Sequence, residues 1–268
     1  MREVAKVASI IPGNIRMETL IKKTAEYIAS SKYAVALTGA GISVESGIPP
    51  FRGKGGLWEK FDPMEFAHID AFMNNPKKVW EMFMREMKGM LVESKPNDAH
   101  LGLARLEELG ILKTIITQNV DGLHQSAGSK DVIEFHGNFA WLRCLECGHR
   151  CQTVDINLDR IPPRCYCGGI YRPDCVFFGE GIPPNELDRS QQAASQCDLM
   201  LVIGTSAIVQ PSAFMPVIAK QSGATIIEIN PEPTPLTGTT STLLVQEKAG
   251  KAMRQIITEV ERLLPGKK

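Results

Sequence analysis

The chain has 268 residues, is 43% hydrophobic and carries a formal net charge of zero, with Lys+Arg and Asp+Glu equal at 30 each. That is enough apolar material for one large domain, or one large and one small. The charge balance argues against nonspecific attraction to nucleic acid or an anionic membrane as the main activity, and no window approaches the length of a membrane span.

Met1 to Ile11 carries Arg2 and Lys6 among small apolar residues, without an uninterrupted apolar region or cleavage site, so a cytoplasmic protein is expected. Thr19 to Ser30 follows as a helical stripe of Leu20, Ile21, Ala25 and Ile28. It leads into Tyr33 to Leu37, an apolar run with the make-up of a buried strand. Gly39 and Gly41 come next, at the spacing that lets a chain turn tightly off a strand and bring bare backbone to a pyrophosphate. Val44 stands where the dehydrogenase fingerprint needs a third glycine, and no second strand ends in a ribose-gripping acid. The chain runs instead into Pro49, Pro50, Arg52 and a glycine-laden loop at Gly53 to Gly56. A bound dinucleotide is expected, but not hydride transfer.

Trp58 to Met90 is mostly helical in pattern and rich in Phe and Met, which reads as a small helical layer packed on a sheet. Ala99 to Leu109 is a further helix, followed by a strand from Leu112 to Thr117 that ends in Gln118-Asn119. Trp141 to Cys175 breaks the rhythm as a cysteine-rich insertion. Leu199 to Ile203 and Thr225 to Ile229 are strands ending in Gly204-Thr205-Ser206 and Asn230, with helices at Ser212 to Gln221 and Lys251 to Leu264. Alternating strands and helices predict a parallel sheet covered on both faces, with ligands at the carboxyl ends of its strands. The expected fold class is therefore α/β, a doubly wound, Rossmann-like parallel-sheet domain with a smaller inserted helical and zinc-ribbon module. The large domain takes residues 1–57, 91–140 and 177–268; the helical part of the small one takes 58–90 and the zinc ribbon 141–176.

Six of the seven cysteines lie between Cys144 and Cys175, a crowding that favours metal over disulfides. Cys144 with Cys147 and Cys165 with Cys167 form two thiolate pairs suited to one structural, tetrahedral Zn²⁺. The second pair is one residue tight, which leaves Cys151 or Cys175 open as a substitute ligand; His149 is a weaker candidate. Four thiolates leave no coordination position for catalysis at the metal. Cys151, Cys175 and Cys197 otherwise read as free buried thiols.

Taken together, Gly39-Ala-Gly-Ile-Ser43, Gly47-Ile-Pro-Pro-Phe-Arg-Gly53, Thr117-Gln-Asn-Val-Asp-Gly-Leu-His124, Phe135-His-Gly-Asn138, the cysteine pairs, Phe178-Gly-Glu180, Gly204-Thr-Ser206 and Asn230-Pro-Glu232 resemble the sirtuins, the NAD-dependent protein deacylases. The resemblance implies NAD as co-substrate, bound by Gly39, Ala40, Gly41, Ser43, Ile48, Phe51, Arg52, Gln118, Asn119, Val120, Asp121, Gly204, Thr205, Ser206, Asn230, Glu232 and Ala249. It implies His136 and Asn119 as catalytic residues, with His136 the base that activates a ribose hydroxyl after nicotinamide has left. An acylated-lysine peptide would be clamped by Val176, Phe178, Gly179 and Glu180 on one side and Ile208, Val209 and Gln210 on the other, as an added strand. His124 is expected to support its own turn by hydrogen bonding, and Glu45 to be a solvated loop carboxylate.

The family's desuccinylating members carry a tyrosine and, three residues on, an arginine, where Phe83 and Glu86 stand here. Phe83 offers no hydroxyl and Glu86 would repel an acidic chain, so acetyl or another neutral acyl group is the expected substrate. Arg85, next to them, should point to a different helix face. The products would be free lysine, nicotinamide and O-acyl-ADP-ribose. Mono-ADP-ribosyl transfer from the same pocket is the alternative; a dehydrogenase and a noncatalytic zinc-ribbon binding module fit less well. Partners are acylated proteins or peptides, with no membrane and no direct nucleic acid expected. The tail Gly266-Lys-Lys268 reads as a frayed end.

Overall fold

The computed structural model describes residues 13–53, 55–86 and 88–264; the Met1 to Ile11 stretch and the Gly266 to Lys268 tail lie outside it. Strands β1 (Ala34–Thr38), β2 (Leu112–Thr117), β3 (Val132–Glu134), β7 (Leu199–Ile203), β8 (Thr225–Ile229) and β9 (Leu243–Val245) form one six-stranded sheet in the order β3-β2-β1-β7-β8-β9. Every pairing in it is parallel. From β1 the chain builds outward to β2 and β3, then returns to place β7 on the other flank of β1. The order therefore reverses between β1 and β7, and a crevice opens at their carboxyl ends.

The central strands read as unbroken apolar runs because both of their faces are covered. All five residues of β1 and all five of β7 are buried. Along β1, Ala34 and Ala36 face one core with Ile28, Leu103, Leu106, Met253 and Ile256, while Val35 and Leu37 face a second with Ala193, Met200, Val202 and Ala219. Those layers are built by helices Gly13–Ser30, Asp98–Glu108 and Ala249–Leu263 on the first face and by Pro184–Gln196 and Met215–Gln221 on the second.

The inserted module joins helices Pro63–Phe66, Ile69–Asn74, Pro76–Glu86 and Lys88–Glu93 to an antiparallel sheet of β4 (Gly137–Cys144), β5 (Arg150–Gln152) and β6 (Tyr171–Cys175), ordered β5-β4-β6. Its core is Phe72, Val79, Trp80, Phe83, Leu142, Tyr171 and Phe177. The buried Trp80 Nε1 donates to the Tyr171 carbonyl at 2.9 Å, tying helix to sheet. Two expected domain boundaries shift. Strand β4 starts at Gly137, ahead of the boundary at 141, and helix Lys88–Glu93 runs across the boundary at 90. The helix expected over Ser212 to Gln221 opens as a tight 3-10 turn, Ser212–Phe214, before Met215–Gln221.

Candidate active site

At the ends of β1 and β7 two glycine-bearing turns are pressed together. The Gly39 N–H donates to the Ile203 carbonyl at 3.1 Å, and the Gly41 N–H to the Gly204 carbonyl at 2.7 Å. A side chain on Gly41 would place its Cβ 2.7 Å from Gly204 Cα, and one on Gly204 would meet the Ile42 nitrogen at 2.2 Å. Gly204 also has φ +61°, a conformation that favours glycine. The expected close approach of bare backbone is present, but between the two turns of the protein itself. Their amides are used inside the protein, and the missing side chains let the two turns touch.

A cavity of about 670 Å³ opens from this contact and runs into the inserted module. Gly39, Ala40, Gly41, Phe51, Arg52, Gln118, Asn119, Val120, Gly204, Thr205, Ser206, Asn230 and Glu232 line one part of it. Asn230 Nδ2 donates to the Glu232 carbonyl at 2.7 Å, which fixes that turn beyond β8. Phe51 stacks on Trp58 at 5.3 Å, and Trp58 leans on Phe178 at 6.4 Å, making an aromatic wall between the two parts.

Four of the expected cofactor residues are not in the lining. Ser43 is fully buried; its Oγ donates to Asp121 Oδ2 at 2.7 Å and accepts from Asn119 Nδ2 at 3.1 Å. Asp121 itself accepts the Leu123 N–H at 3.0 Å. Ser43 and Asp121 therefore hold Asn119, whose Nδ2 also reaches the Gly39 carbonyl at 3.2 Å. Ile48 lies outside the lining, and Ala249 is buried at the start of the last helix. Glu45 is not merely solvated: its Oε2 accepts the Gly250 N–H at 2.6 Å in the first turn of that helix, where a carboxylate is favoured.

His136 lines the cavity from the turn between β3 and β4. Its Nδ1 donates to the Gln118 carbonyl at 3.0 Å, which leaves Nε2 as the proton acceptor. Burial holds its pKa below the ordinary imidazole value, against the opposing pull of that carbonyl, so the ring is neutral near pH 7. The His136 carbonyl accepts the Val176 N–H at 2.9 Å. Gly137 follows with φ +79°, and a Cβ there would lie 2.2 Å from the Asp174 carbonyl. The histidine is gripped from both sides.

Two further imidazoles are buried in the large domain. His124 Nε2 shares a hydrogen bond with Thr38 Oγ1 at 2.9 Å, so it braces the end of β1 instead of its own turn. His100 stands edge-on to it at 4.9 Å and approaches Ser43 Oγ at 3.5 Å.

On the other side Val176, Phe178, Gly179, Glu180, Val209 and Gln210 face the cavity, whereas Ile208 is 59% exposed and outside its lining. Phe178 is already strand-paired: its N–H donates to the Ala67 carbonyl at 2.8 Å and its carbonyl accepts the Ile69 N–H at 2.9 Å. Glu180, expected to touch substrate, has its carboxylate engaged by Arg172. The inner end is apolar, walled by Phe66, Phe72, Val79, Trp80, Met82, Phe83 and Phe139. Sequence reasoning assigned that helical layer to packing; its density of Phe and Met was the available signal. Glu86 is not part of the wall and pairs with Arg85 Nε at 2.6 Å, so it does not guard the pocket as expected.

The Sγ atoms of Cys144, Cys147, Cys165 and Cys167 lie within 4.8 Å of one another. Cys144 to Cys167 is 3.6 Å and Cys147 to Cys165 is 3.7 Å. Zn–S bonds of about 2.3 Å in a tetrahedron need sulfurs about 3.8 Å apart, so the four thiols fit one structural zinc. Cys151 and Cys175 fall outside the cluster, and His149 Nδ1 bonds the Tyr171 hydroxyl at 2.8 Å. None of the four ligands lines the cavity.

A family model described as the Sir2 family matches residues 39–211. The NAD-dependent protein deacylase of Pyrococcus abyssi is 45% identical over 91% of this chain and all of its own length. NAD-dependent protein deacylase 1 of Archaeoglobus fulgidus is 46% identical over 91% of this chain and 99% of its own. Among solved structures, a Sir2 homologue bound to NAD superimposes with a TM-score of 0.84 at 46% identity, covering 91% of this chain and 94% of the other. A Sir2 variant holding a deacetylated p53 peptide and 3′-O-acetyl ADP-ribose does so with a TM-score of 0.84 at 36% identity, covering 89% and 98%.

Proposed function

The chain belongs to the Sir2 family and is an NAD-dependent protein-lysine deacylase; we propose that it removes acetyl and other neutral acyl groups and turns acidic ones away. The observation that carries the acyl range is the inner wall of the cavity. Phe72, Val79, Trp80 and Phe83 offer apolar surface, and Arg52, over on the cofactor side, is the one Arg or Lys among the described lining residues. A carboxylate taken into that wall would lose its water and gain no cation, which costs several kcal/mol.

NAD, when bound, supplies the ribose that receives the acyl group and releases nicotinamide. The residues present fit it: the turns at Gly39–Gly41 and Gly204–Ser206 meet at the switch point, and Asn230 and Glu232 stand beyond β8. Asn119 lines the cavity with its Nδ2 held by Ser43 Oγ and the Gly39 carbonyl. Gln118 Nε2 donates to Thr205 Oγ1 at 3.0 Å while its Oε1 accepts from Ser212 Oγ at 3.1 Å, so the β2 and β7 turns keep a fixed spacing. His136 Nε2 takes a proton from a ribose hydroxyl, with Nδ1 held by Gln118; such a base contributes about 10²–10⁴-fold. Phe51, Trp58 and Phe178 keep water from the reacting centre, which favours acyl transfer over plain hydrolysis.

The reading is supported by acylated peptide as the substrate class, consistent with the peptide-bound relative, and we place the protein in the cytoplasm with no membrane or nucleic-acid partner. Seven cysteines without a disulfide, four of them gathered for zinc, suit a reducing compartment, and no described helix is long and apolar enough to cross a membrane. The test is kcat/KM across acetyl-, butyryl- and succinyl-lysine forms of one peptide at saturating NAD. Acetyl and butyryl should exceed succinyl by more than about tenfold; a succinyl preference would sink the acyl assignment.

A further inference from the structure

We propose that Arg172 is a positioning residue for the acyl-peptide edge, acting through Glu180, and that Glu180 shapes this edge without itself contacting the substrate. This rests on the reading of Val176 to Glu180 as the edge along which the peptide is added.

Arg172 sits on β6, with only 11% of its side chain exposed. Its guanidinium meets the Glu180 carboxylate with both prongs, Nη1 to Oε1 at 2.6 Å and Nη2 to Oε2 at 2.5 Å. Nη2 also donates to the Cys175 carbonyl at 2.7 Å, and the cation stacks over the Phe177 ring at 4.6 Å. Glu180 Oε2 in turn accepts the Phe177 N–H at 2.9 Å. One arginine thus gathers the beginning, middle and end of the Cys175 to Glu180 bend. The planar fork suits this task, and a lysine could not reproduce it.

That bend is tied at three other points. Val176 hangs from the His136 carbonyl, and Phe178 pairs with Ala67 and Ile69 of the helical module. Gly179 has φ +88° and passes so close to His68 that a Cβ would lie 2.7 Å from its Nε2. The edge is therefore held between the base and the acyl pocket by a bend whose shape the ion pair sets. Burial alone would raise the Glu180 pKa, yet the bonds from Arg172 and the Phe177 N–H hold it below the usual carboxylate range. With Arg172 gone, a half-buried carboxylate and the Cys175 carbonyl lose their partner, and the bend must open to rehydrate them.

The test is binding of a fluorescent acetyl-lysine peptide, by anisotropy without turnover, alongside NAD affinity by calorimetry. Arg172→Gln, Glu180→Gln, the double variant and Arg172→Lys are compared. Each single Gln variant should weaken peptide binding by about tenfold, and the double variant by no more than either. NAD affinity should stay within about twofold, which also shows that the large domain remains folded. Arg172→Lys should recover only part of the loss. The proposal is overturned if Arg172→Gln leaves peptide affinity unchanged, if the double loss equals the product of the single losses, or if NAD affinity falls equally. A wild-type protein that binds NAD but no acyl peptide would remove the edge reading and the clamp together.

Discussion

At the scale of single residues, the proposed chemistry rests on one neutral imidazole, His136, and two other buried histidines report on the fold. Because burial depresses the His136 pKa, the base is less protonated at any given pH than an ordinary histidine. The acid limb of kcat/KM should therefore lie below pH ~6.5, and His136→Ala should cost about 10²–10⁴-fold in kcat with NAD affinity retained. An acid limb at or above that value would contradict the assignment of His136 as the base. His124 is pushed down to about 3 by burial and by its neighbour His100, itself lowered to about 4 by burial. The unfolded chain binds protons at these sites below pH ~6.5 whereas the native state does not. Stability is therefore full above that pH and falls as pH drops toward 4. Replacing His124 with Asn should flatten that slope by up to about 1.4 kcal/mol per pH unit; denaturant melts at pH 6.5, 5.5 and 4.5 that keep the wild-type slope would refute it. His136 was legible because Phe135-His-Gly-Asn138 gave it a setting, and its depressed pKa was not, since burial is a property of the closed fold. Gly39 and Gly41 were legible as a tight turn, but their contact with Gly204 depends on β7 arriving beside β1 from far along the chain.

At the scale of elements, the strands declared themselves wherever both faces were covered. Ala34–Thr38, Leu112–Thr117, Leu199–Ile203 and Thr225–Ile229 are short, mostly buried runs rich in apolar and β-branched residues and were read to within a residue. The edge strands Val132–Glu134 and Leu243–Val245 are three residues each, too short for a period to show. Helix Pro184–Gln196 was missed for another reason: it buries only Ser190, Ala193 and Ala194, so it has almost no apolar stripe. In the zinc module, spacing alone left Cys151 and Cys175 open, because ligand choice depends on how β4, β5 and β6 fold back on one another. With that geometry in hand, Cys165→Ala should lose its metal, and Cys151→Ala should keep one zinc per chain. Metal analysis and thermal melts of the two variants settle the ligand set. A Cys151→Ala protein without zinc would overturn it.

At the scale of the whole molecule, the two modules divide the work. The parallel sheet supplies a switch point with two touching glycine turns, which suits a dinucleotide. The inserted module supplies an apolar pocket and the proposed peptide edge, and the four zinc-site cysteines lie outside the cavity lining, with Cys144 and Cys165 packed in the same core as its wall. The cavity spans them, with His136 and Asn119 at the join. The outline of this division was readable, since Trp58 to Met90 and Trp141 to Cys175 interrupt the alternation of strand and helix. That the two insertions build one pocket was not, because Trp80 meets Tyr171 only in three dimensions.

The central claim is that acyl groups leave lysine only by transfer within this cavity at the expense of NAD. Mass spectrometry of an acetyl-lysine peptide incubated with the protein, with and without NAD, tests it most directly. The account predicts free lysine, nicotinamide and O-acetyl-ADP-ribose in equal amounts with NAD, and an untouched peptide without it. Acetyl loss without NAD, or ADP-ribose attached to protein in place of deacylation, would contradict it.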